Sequence, residues 1–224
     1  MASAARTSLV LRVLLAVSVA AVVPQRALSD PTPLQDFCVA DLQATTPLDG
    51  FLCKAASAVV DDDFFSRAIV PAASTRNPFG ANSTRATVAT FQGLNTLGLS
   101  ITRVDLAPGG LNPPHSHPRA SELVMVLKGE VMVGFTTGAN RLFSKVVKEN
   151  ELFVVPRGLQ HFQLNTGASD AVFVAMFDSQ SPGVVTPTFS LFATKPAMPM
   201  EVLTKTFLMG VDEVGAMKSK FVGF

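Results

Sequence analysis

The sequence predicts an all-β fold, either a sandwich or a barrel of short strands. Between residues 97 and 178, short apolar runs rich in β-branched residues alternate with turns rich in glycine and proline. Short strands separated by such turns are typical of antiparallel sandwiches and barrels. The same region lacks an apolar period of 3.6 residues, which argues against a helical core. The predicted strands are Leu97–Leu106, Glu122–Leu127, Val131–Thr136, Leu142–Val147, Leu152–Val155, His161–Asn165 and Ala171–Phe177.

The segments on either side of this β region follow other patterns. Prolines interrupt residues 30 to about 90, so we expect an arm of loops and short strands there. Two short helices are predicted at about 199–221, with Pro199 in the first turn of the first helix. Helices in this position suggest contact with a neighbouring subunit. We expect one domain over 30–224, with a barrel core at about 90–195.

The N-terminal segment has the pattern of a secretory signal peptide. Met1–Ser29 contains three arginines and no acidic residue, and an apolar run occupies Val13–Val23. Small residues, Ala27 and Ser29, precede the expected cleavage site before Asp30. The apolar run is too short for a membrane anchor, which needs about 20 residues. We therefore predict a signal peptide at 1–29 and a secreted protein.

Composition and charge exclude several classes of function. Removing the three arginines of the signal peptide from 18 basic residues leaves 15, against 17 acidic ones, so the mature chain has a net charge of −2. We expect neither a nucleic-acid partner nor a membrane partner, because no basic surface is available to attract either. The chain has no Tyr or Trp, and its two cysteines exclude a four-cysteine zinc or iron–sulfur site.

Secretion also determines the expected state of the cysteines and of one asparagine. In an oxidising compartment Cys38 and Cys53 are expected to form a disulfide that pins the N-terminal arm, and the alternative is two free, buried thiols. The sequon that begins at Asn82 predicts N-glycosylation.

The three histidines of the chain are the candidates for a metal site. His115 and His117 are two residues apart, so on a strand both side chains point to the same face. Glu122 begins the next apolar run, and His161 begins a later one. Three imidazoles and one carboxylate form a donor set that leaves open positions on an octahedral ion. The alternative is a set of surface histidines near a proline turn, and the spacing favours the metal.

The motifs around these histidines resemble the two signature motifs of the cupin superfamily. The first contains Gly109, His115, His117, Glu122 and Gly129, and the second contains Pro156, Gly158, His161 and Asn165. The residues flanking the histidine pair, Pro108–His115 and Pro118–Ala120, resemble those of plant germin-like proteins. The signal peptide, the cysteine pair and the C-terminal helices extend this resemblance over almost the whole chain.

The resemblance implies a β-jelly-roll barrel with a manganese ion held by His115, His117, Glu122 and His161. It also implies a homohexamer, a trimer of dimers in which C-terminal helices clasp neighbouring subunits. Germins are secreted to the apoplast or the cell wall. Family members include oxalate oxidases, superoxide dismutases and seed proteins with nutrient reservoir activity, so a role in defence or stress is implied as well.

Two positions depart from the family pattern. Asn150 replaces a glycine of the second motif, and we expect the turn to survive because Asn tolerates positive φ. In germins with oxalate oxidase activity, two asparagines contact the substrate. Thr102 replaces the first of them, whereas the second, Asn112, is retained beside the metal ligands. We therefore expect a manganese superoxide dismutase, with superoxide as substrate. The alternatives are an oxalate oxidase, which Thr102 disfavours, and a non-catalytic wall receptor, structural or storage protein.

Overall fold

The computed structural model describes residues 36–44 and 50–221. The predicted signal peptide at 1–29 lies outside those residues. The described part contains nine strands: β1 Ala81–Ala86, β2 Ser100–Leu106, β3 Leu111–His115, β4 Glu122–Lys128, β5 Glu130–Thr136, β6 Leu142–Lys148, β7 Leu152–Val155, β8 Gln160–Asn165 and β9 Ala171–Phe177. Three 3-10 turns, at Ala56–Ala58, Asp61–Phe64 and Gln92–Leu94, precede β2.

The strands form two antiparallel sheets with the core between them. One sheet has the order β1-β2-β9-β4-β7, and the other has the order β3-β8-β5-β6. In strand β4, Glu122, Val124 and Val126 point into the core and are buried, whereas the alternate residues point outward and are more exposed. Val131 and Val133 of β5 are fully buried in the same core. The predicted all-β jelly-roll architecture is confirmed.

The main difference from the predicted strands lies before residue 115. Strand β1 belongs to the sheet although the barrel core is predicted to begin near residue 90, and it pairs with β2 along its whole length. Strand β3 contains Pro113 and Pro114, and its pairing with β8 is irregular between Asn112 and His115. Proline lacks the N–H that a strand donates, and β3 tolerates this because it is an edge strand.

Three α-helices follow the last strand. They are α1 Pro187–Phe192, α2 Met200–Phe207 and α3 Val211–Ser219, of which α2 and α3 match the predicted pair. The three helices bury an apolar cluster of their own around Phe192, Leu203 and Val214. The contact between these helices and another subunit stays a prediction. In the described part of the chain no helix has the length and apolar character needed to cross a membrane.

A disulfide closes a loop within the N-terminal arm, and hydrogen bonds attach the arm to the turn before β2. Cys38 and Cys53 form the predicted disulfide, which excludes the alternative of two free thiols. The Asn95 Nδ2 group donates to Cys38 Sγ at 3.3 Å, and the Ala40 amide donates to the Gln92 carbonyl at 3.1 Å. The arm therefore lies against the turn that leads into β2.

Candidate metal centre

The fold brings all four predicted metal ligands together at one end of the core. The donor atoms of His115, His117, Glu122 and His161 lie within 4.8 Å of one another, and all four residues are buried. His115 is the direct cross-strand partner of His161 between β3 and β8. Glu122 begins β4 in the opposite sheet. The site therefore joins the two sheets of the barrel across the core.

Backbone carbonyls fix which ring nitrogen of each histidine carries the hydrogen. The Nδ1 atom faces a carbonyl oxygen in each case: 2.8 Å from His115 to Pro113, 2.6 Å from His117 to Gly183 and 2.8 Å from His161 to Leu159. A carbonyl can only accept a hydrogen bond, so each Nδ1 is the donor. The hydrogen-free Nε2 atoms are then available as metal ligands, and the carbonyls orient the rings.

The arrangement around Glu122 Oε2 suits a cation. This oxygen lies 3.2 Å from His117 Nε2 and 2.7 Å from His161 Nε2. When each ring carries its only hydrogen on Nδ1, these contacts bring lone pairs face to face. Glu122 Oε2 and His161 Nε2 are buried and have no hydrogen-bond partner among the described residues. Buried acceptors without a donor are costly, and a metal ion among them removes that cost. The residues therefore fit a bound metal.

The electrostatics of the site favour the same protonation state. Burial, followed by the neighbouring His161, lowers the pKa of His115 from 6.5 to about 4. Burial raises the pKa of Glu122, but hydrogen bonds from the His117 and His161 rings, which a proton on Nε2 allows when no metal is bound, outweigh burial and hold that pKa at about 2. At neutral pH His115 is therefore neutral and Glu122 is ionised, which is the state that metal binding requires.

The stability of the metal-free protein should fall as the pH is lowered. The His115 pKa is below its ordinary value of 6.5, so between pH 6.5 and about 4 the unfolded chain binds a proton that the folded protein does not. Glu122 acts in the same direction between pH 4.5 and about 2. Urea unfolding midpoints measured from pH 7 to pH 3 should decrease throughout. His115→Gln should flatten the upper part of this decrease, and an unchanged pH profile in that variant would contradict the prediction.

A chain of amides supports the second oxygen of Glu122. Gln163 Nε2 donates to Glu122 Oε1 at 3.1 Å, and Asn112 Nδ2 donates to Gln163 Oε1 at 2.8 Å. Gln163 is fully buried. The structure therefore places Asn112 two hydrogen bonds from the ligand. Sequence reasoning missed Gln163, although its position two residues after His161 puts both side chains on one face of β8.

Gln163→Leu should weaken metal binding without unfolding the barrel. The substitution keeps the volume but removes the donor to Glu122 Oε1, and loss of an outer hydrogen-bond partner of a ligand typically costs about 10- to 100-fold in affinity. Metal affinity can be measured by competition with a chelator. Gln160→Leu is the matched control, because Gln160 is exposed on the same strand. Equal affinities in the two variants would contradict the role given to Gln163.

A cavity of about 170 Å³ lies beside the ligands. Most of its wall is apolar, with Phe173 and Phe177 among the lining residues. The Phe177 ring lies against the His117 ring, with centroids 4.6 Å apart. Thr102 and Asn112 supply polar groups to the wall. The site therefore combines a metal with a small, largely apolar chamber, which suits a small molecule rather than a polymer.

Comparison with known proteins identifies the family. Residues 68–215 match the Cupin family model. The chain is 76% identical over 223 residues to Germin-like protein 1-2 of Oryza sativa subsp. japonica, and the alignment covers 99% of this chain and all of the relative. The chain belongs to the germin family of the cupin superfamily.

Two further germin-family matches indicate how far function varies among similar chains. The Rhicadhesin receptor of Pisum sativum is 50% identical over 188 residues, covering 84% of this chain and 87% of the relative. A solved structure of oxalate oxidase in complex with the substrate analogue glycolate is 48% identical, with a TM-score of 0.85, and covers 87% of this chain and 99% of that chain. The family shares a metal-binding cupin barrel, and it includes proteins with different named activities.

The turn that departs from the germin pattern keeps its geometry. Asn150 has a φ of 65°, so it adopts the left-handed conformation that the usual glycine would adopt. Its amide donates to the Val126 carbonyl at 2.8 Å, which anchors the turn to β4. The expectation that Asn150 is tolerated is therefore confirmed.

Asn82 of the sequon lies on β1 with an exposed side chain.

Proposed function

We propose that this germin-like protein is a secreted manganese protein of the plant apoplast or cell wall that removes superoxide. The observation that carries the proposal is the complete ligand set, with its Nε2 atoms free, beside a cavity where Thr102 replaces an amide. A role in defence or stress follows from removing superoxide outside the cell. The donor set accepts several divalent metals, so manganese rests on the family resemblance.

The residues of the site suit this reaction. Bound manganese would supply the one-electron redox couple that superoxide disproportionation needs. The three histidines can coordinate the metal through Nε2 because backbone carbonyls hold their Nδ1 hydrogens. Glu122 adds one negative charge, which helps to stabilise the higher oxidation state of the metal. Solvent in the cavity delivers the two protons that the reaction consumes, so no protein nucleophile is required.

The proposal is tested by measuring superoxide removal with purified, metal-loaded protein. The rate constant should exceed that of an equal concentration of free manganese, and it should be lost in the metal-free protein. Activity no higher than that of free manganese would show that the proposed function is wrong. Metal content must be measured on the same samples, so that a lack of loading is not mistaken for a lack of activity.

The secreted, assembled form is part of the same proposal. The signal peptide pattern, the disulfide and the exposed Asn82 support secretion with an N-linked glycan. The outer face of the five-stranded sheet exposes large apolar side chains, and Leu123 is the cross-strand neighbour of Val154 there. Exposed apolar faces of this kind mark protein interfaces. This face supports a homo-oligomer, for which the family resemblance implies a hexamer built as a trimer of dimers.

Oxalate oxidation is the second candidate, because the similar solved structure is an oxalate oxidase holding glycolate. Thr102 lines the cavity of this chain and offers a hydroxyl in place of an amide. We therefore propose that oxalate is a poor substrate. An assay of oxalate-dependent peroxide should give little signal with the natural chain and more with Thr102→Asn. Strong activity in the natural chain would reverse the order of the two candidates.

A non-catalytic role is the candidate from a different class, and the similarity to a receptor favours considering it. In a wall-associated receptor, structural or nutrient reservoir protein, the metal would serve stability alone. His115→Ala would then lower the melting temperature and weaken assembly without removing any measurable turnover. The superoxide proposal predicts that turnover is lost even where the fold survives.

A further inference from the structure

A positively charged residue, Arg85, lines the cavity beside the metal ligands. It lies on β1, the edge strand of the five-stranded sheet. In the register of β1 and β2, Arg85 is directly opposite Thr102. Cross-strand partners project their side chains to the same face of a sheet. Because Thr102 is buried and lines the cavity, Arg85 shares the inward face, and its exposed side chain reaches the cavity from the edge strand.

The charge of Arg85 is not balanced by an acidic side chain in the described part of the chain, where no ion pair involves it. Glu122 is the one carboxylate in the cavity wall, and it is directed at the metal ligands. A divalent ion more than neutralises Glu122. With the metal bound, the cavity therefore contains a net positive charge, and Arg85 adds to it at the entrance.

We propose that Arg85 makes this cavity selective for small anions and draws them to the metal. A guanidinium keeps its charge at all physiological pH values. A cleft lined by one sign of charge raises the local concentration and association rate of the opposite charge. The cavity volume of about 170 Å³ suits a small ligand, since a water molecule occupies about 30 Å³. The inference deepens the proposed function, because superoxide is a small anion.

The position of Arg85 on the edge strand β1 offers a competing explanation for its charge on the inward face. Inward-pointing charged residues on edge strands prevent pairing with other chains. In that case Arg85 would affect solubility, but it would have no effect on how the metal site binds anions. The two roles therefore predict different results for one set of variants.

The experiment compares Arg85→Gln and Arg85→Lys with the natural chain, after equal metal loading. Arg141→Gln is the matched control, because Arg141 is exposed, lies over the Phe143 ring and does not line the cavity. The first measurement is the Kd of azide, used as a small anionic probe, from its effect on the electron paramagnetic resonance signal of the bound manganese. The second is the rate constant for superoxide removal as a function of ionic strength.

Arg85→Gln should raise the azide Kd and lower the superoxide rate constant at low ionic strength, each by about 10-fold, the lower end of the range for electrostatic steering. It should also flatten the decrease of the rate constant with added salt. Arg85→Lys should recover most of both quantities, and Arg141→Gln should match the natural chain.

Unchanged azide affinity and salt dependence in Arg85→Gln would overturn the inference and leave the edge-strand role. The proposed function fails separately, if the metal-loaded natural chain removes no superoxide. In that event a weaker azide affinity in Arg85→Gln would still uphold Arg85 as the anion-selecting residue.

Discussion

His161→Ala should abolish metal binding and, with it, any superoxide removal. His161 is 1% exposed, and its Nε2 atom is the closest imidazole nitrogen to Glu122 Oε2, at 2.7 Å. The chain has three histidines, all within this site, so no other imidazole can replace it. The loss of affinity should exceed the roughly 100-fold that removal of an outer hydrogen-bond partner can cost.

Two measurements check this result. Elemental analysis after dialysis should find metal in the natural chain and none in His161→Ala. Added metal should raise the melting temperature of the natural chain, since a ligand at 100 times its Kd stabilises by about 2.7 kcal/mol, and it should leave His161→Ala unchanged. Gln160→Ala is the control, because this exposed residue precedes His161 on the same strand. Metal retention in His161→Ala equal to that of the control would contradict the assignment of His161 as a ligand.

Phe173→Ala should strongly lower the free energy of unfolding. Phe173 is completely buried, and it pairs with Val104 of β2 and Val126 of β4 in the centre of the five-stranded sheet. Truncating a buried Phe removes its burial free energy and leaves a cavity, which together cost about 3–5 kcal/mol.

The comparison is made by urea unfolding of the metal-free protein. Phe143→Ala is the matched control, because Phe143 is 39% exposed on β6 and stacks on Phe135 at 5.4 Å. The control should lose less than half as much stability as Phe173→Ala, since its ring is partly hydrated before truncation. Equal losses at the two positions would show that the core between the sheets is not where the stability lies.

The parts of the fold and site that could be predicted from sequence are those with local signals. The apolar run of β4 predicts a strand, and Glu122 is recognisable as an acid at the start of that otherwise apolar run. The spacing of His115 and His117, together with Glu122 and His161, identifies the ligand set that the structure assembles. The turn at Asn150 follows from the tolerance of asparagine for positive φ.

The parts that could not be predicted depend on contacts between distant segments. Strand β1 is mostly polar, so it has no apolar signal, and it is a strand because β2 pairs with it. Strand β3 contains two prolines that argue against a strand unless its position at the sheet edge is known. The role of Gln163 needs the approach of β8 to Glu122 across the core, and that of Arg85 needs its register with Thr102.

The manganese site is tested most directly by elemental analysis of the protein purified from plant tissue without added metal, combined with electron paramagnetic resonance of the same sample. We expect about one manganese ion per chain, with couplings from three imidazole nitrogens, since three Nε2 atoms and one carboxylate form the site. Protein that folds with no bound transition metal, or that carries zinc or copper in place of manganese, would contradict this expectation.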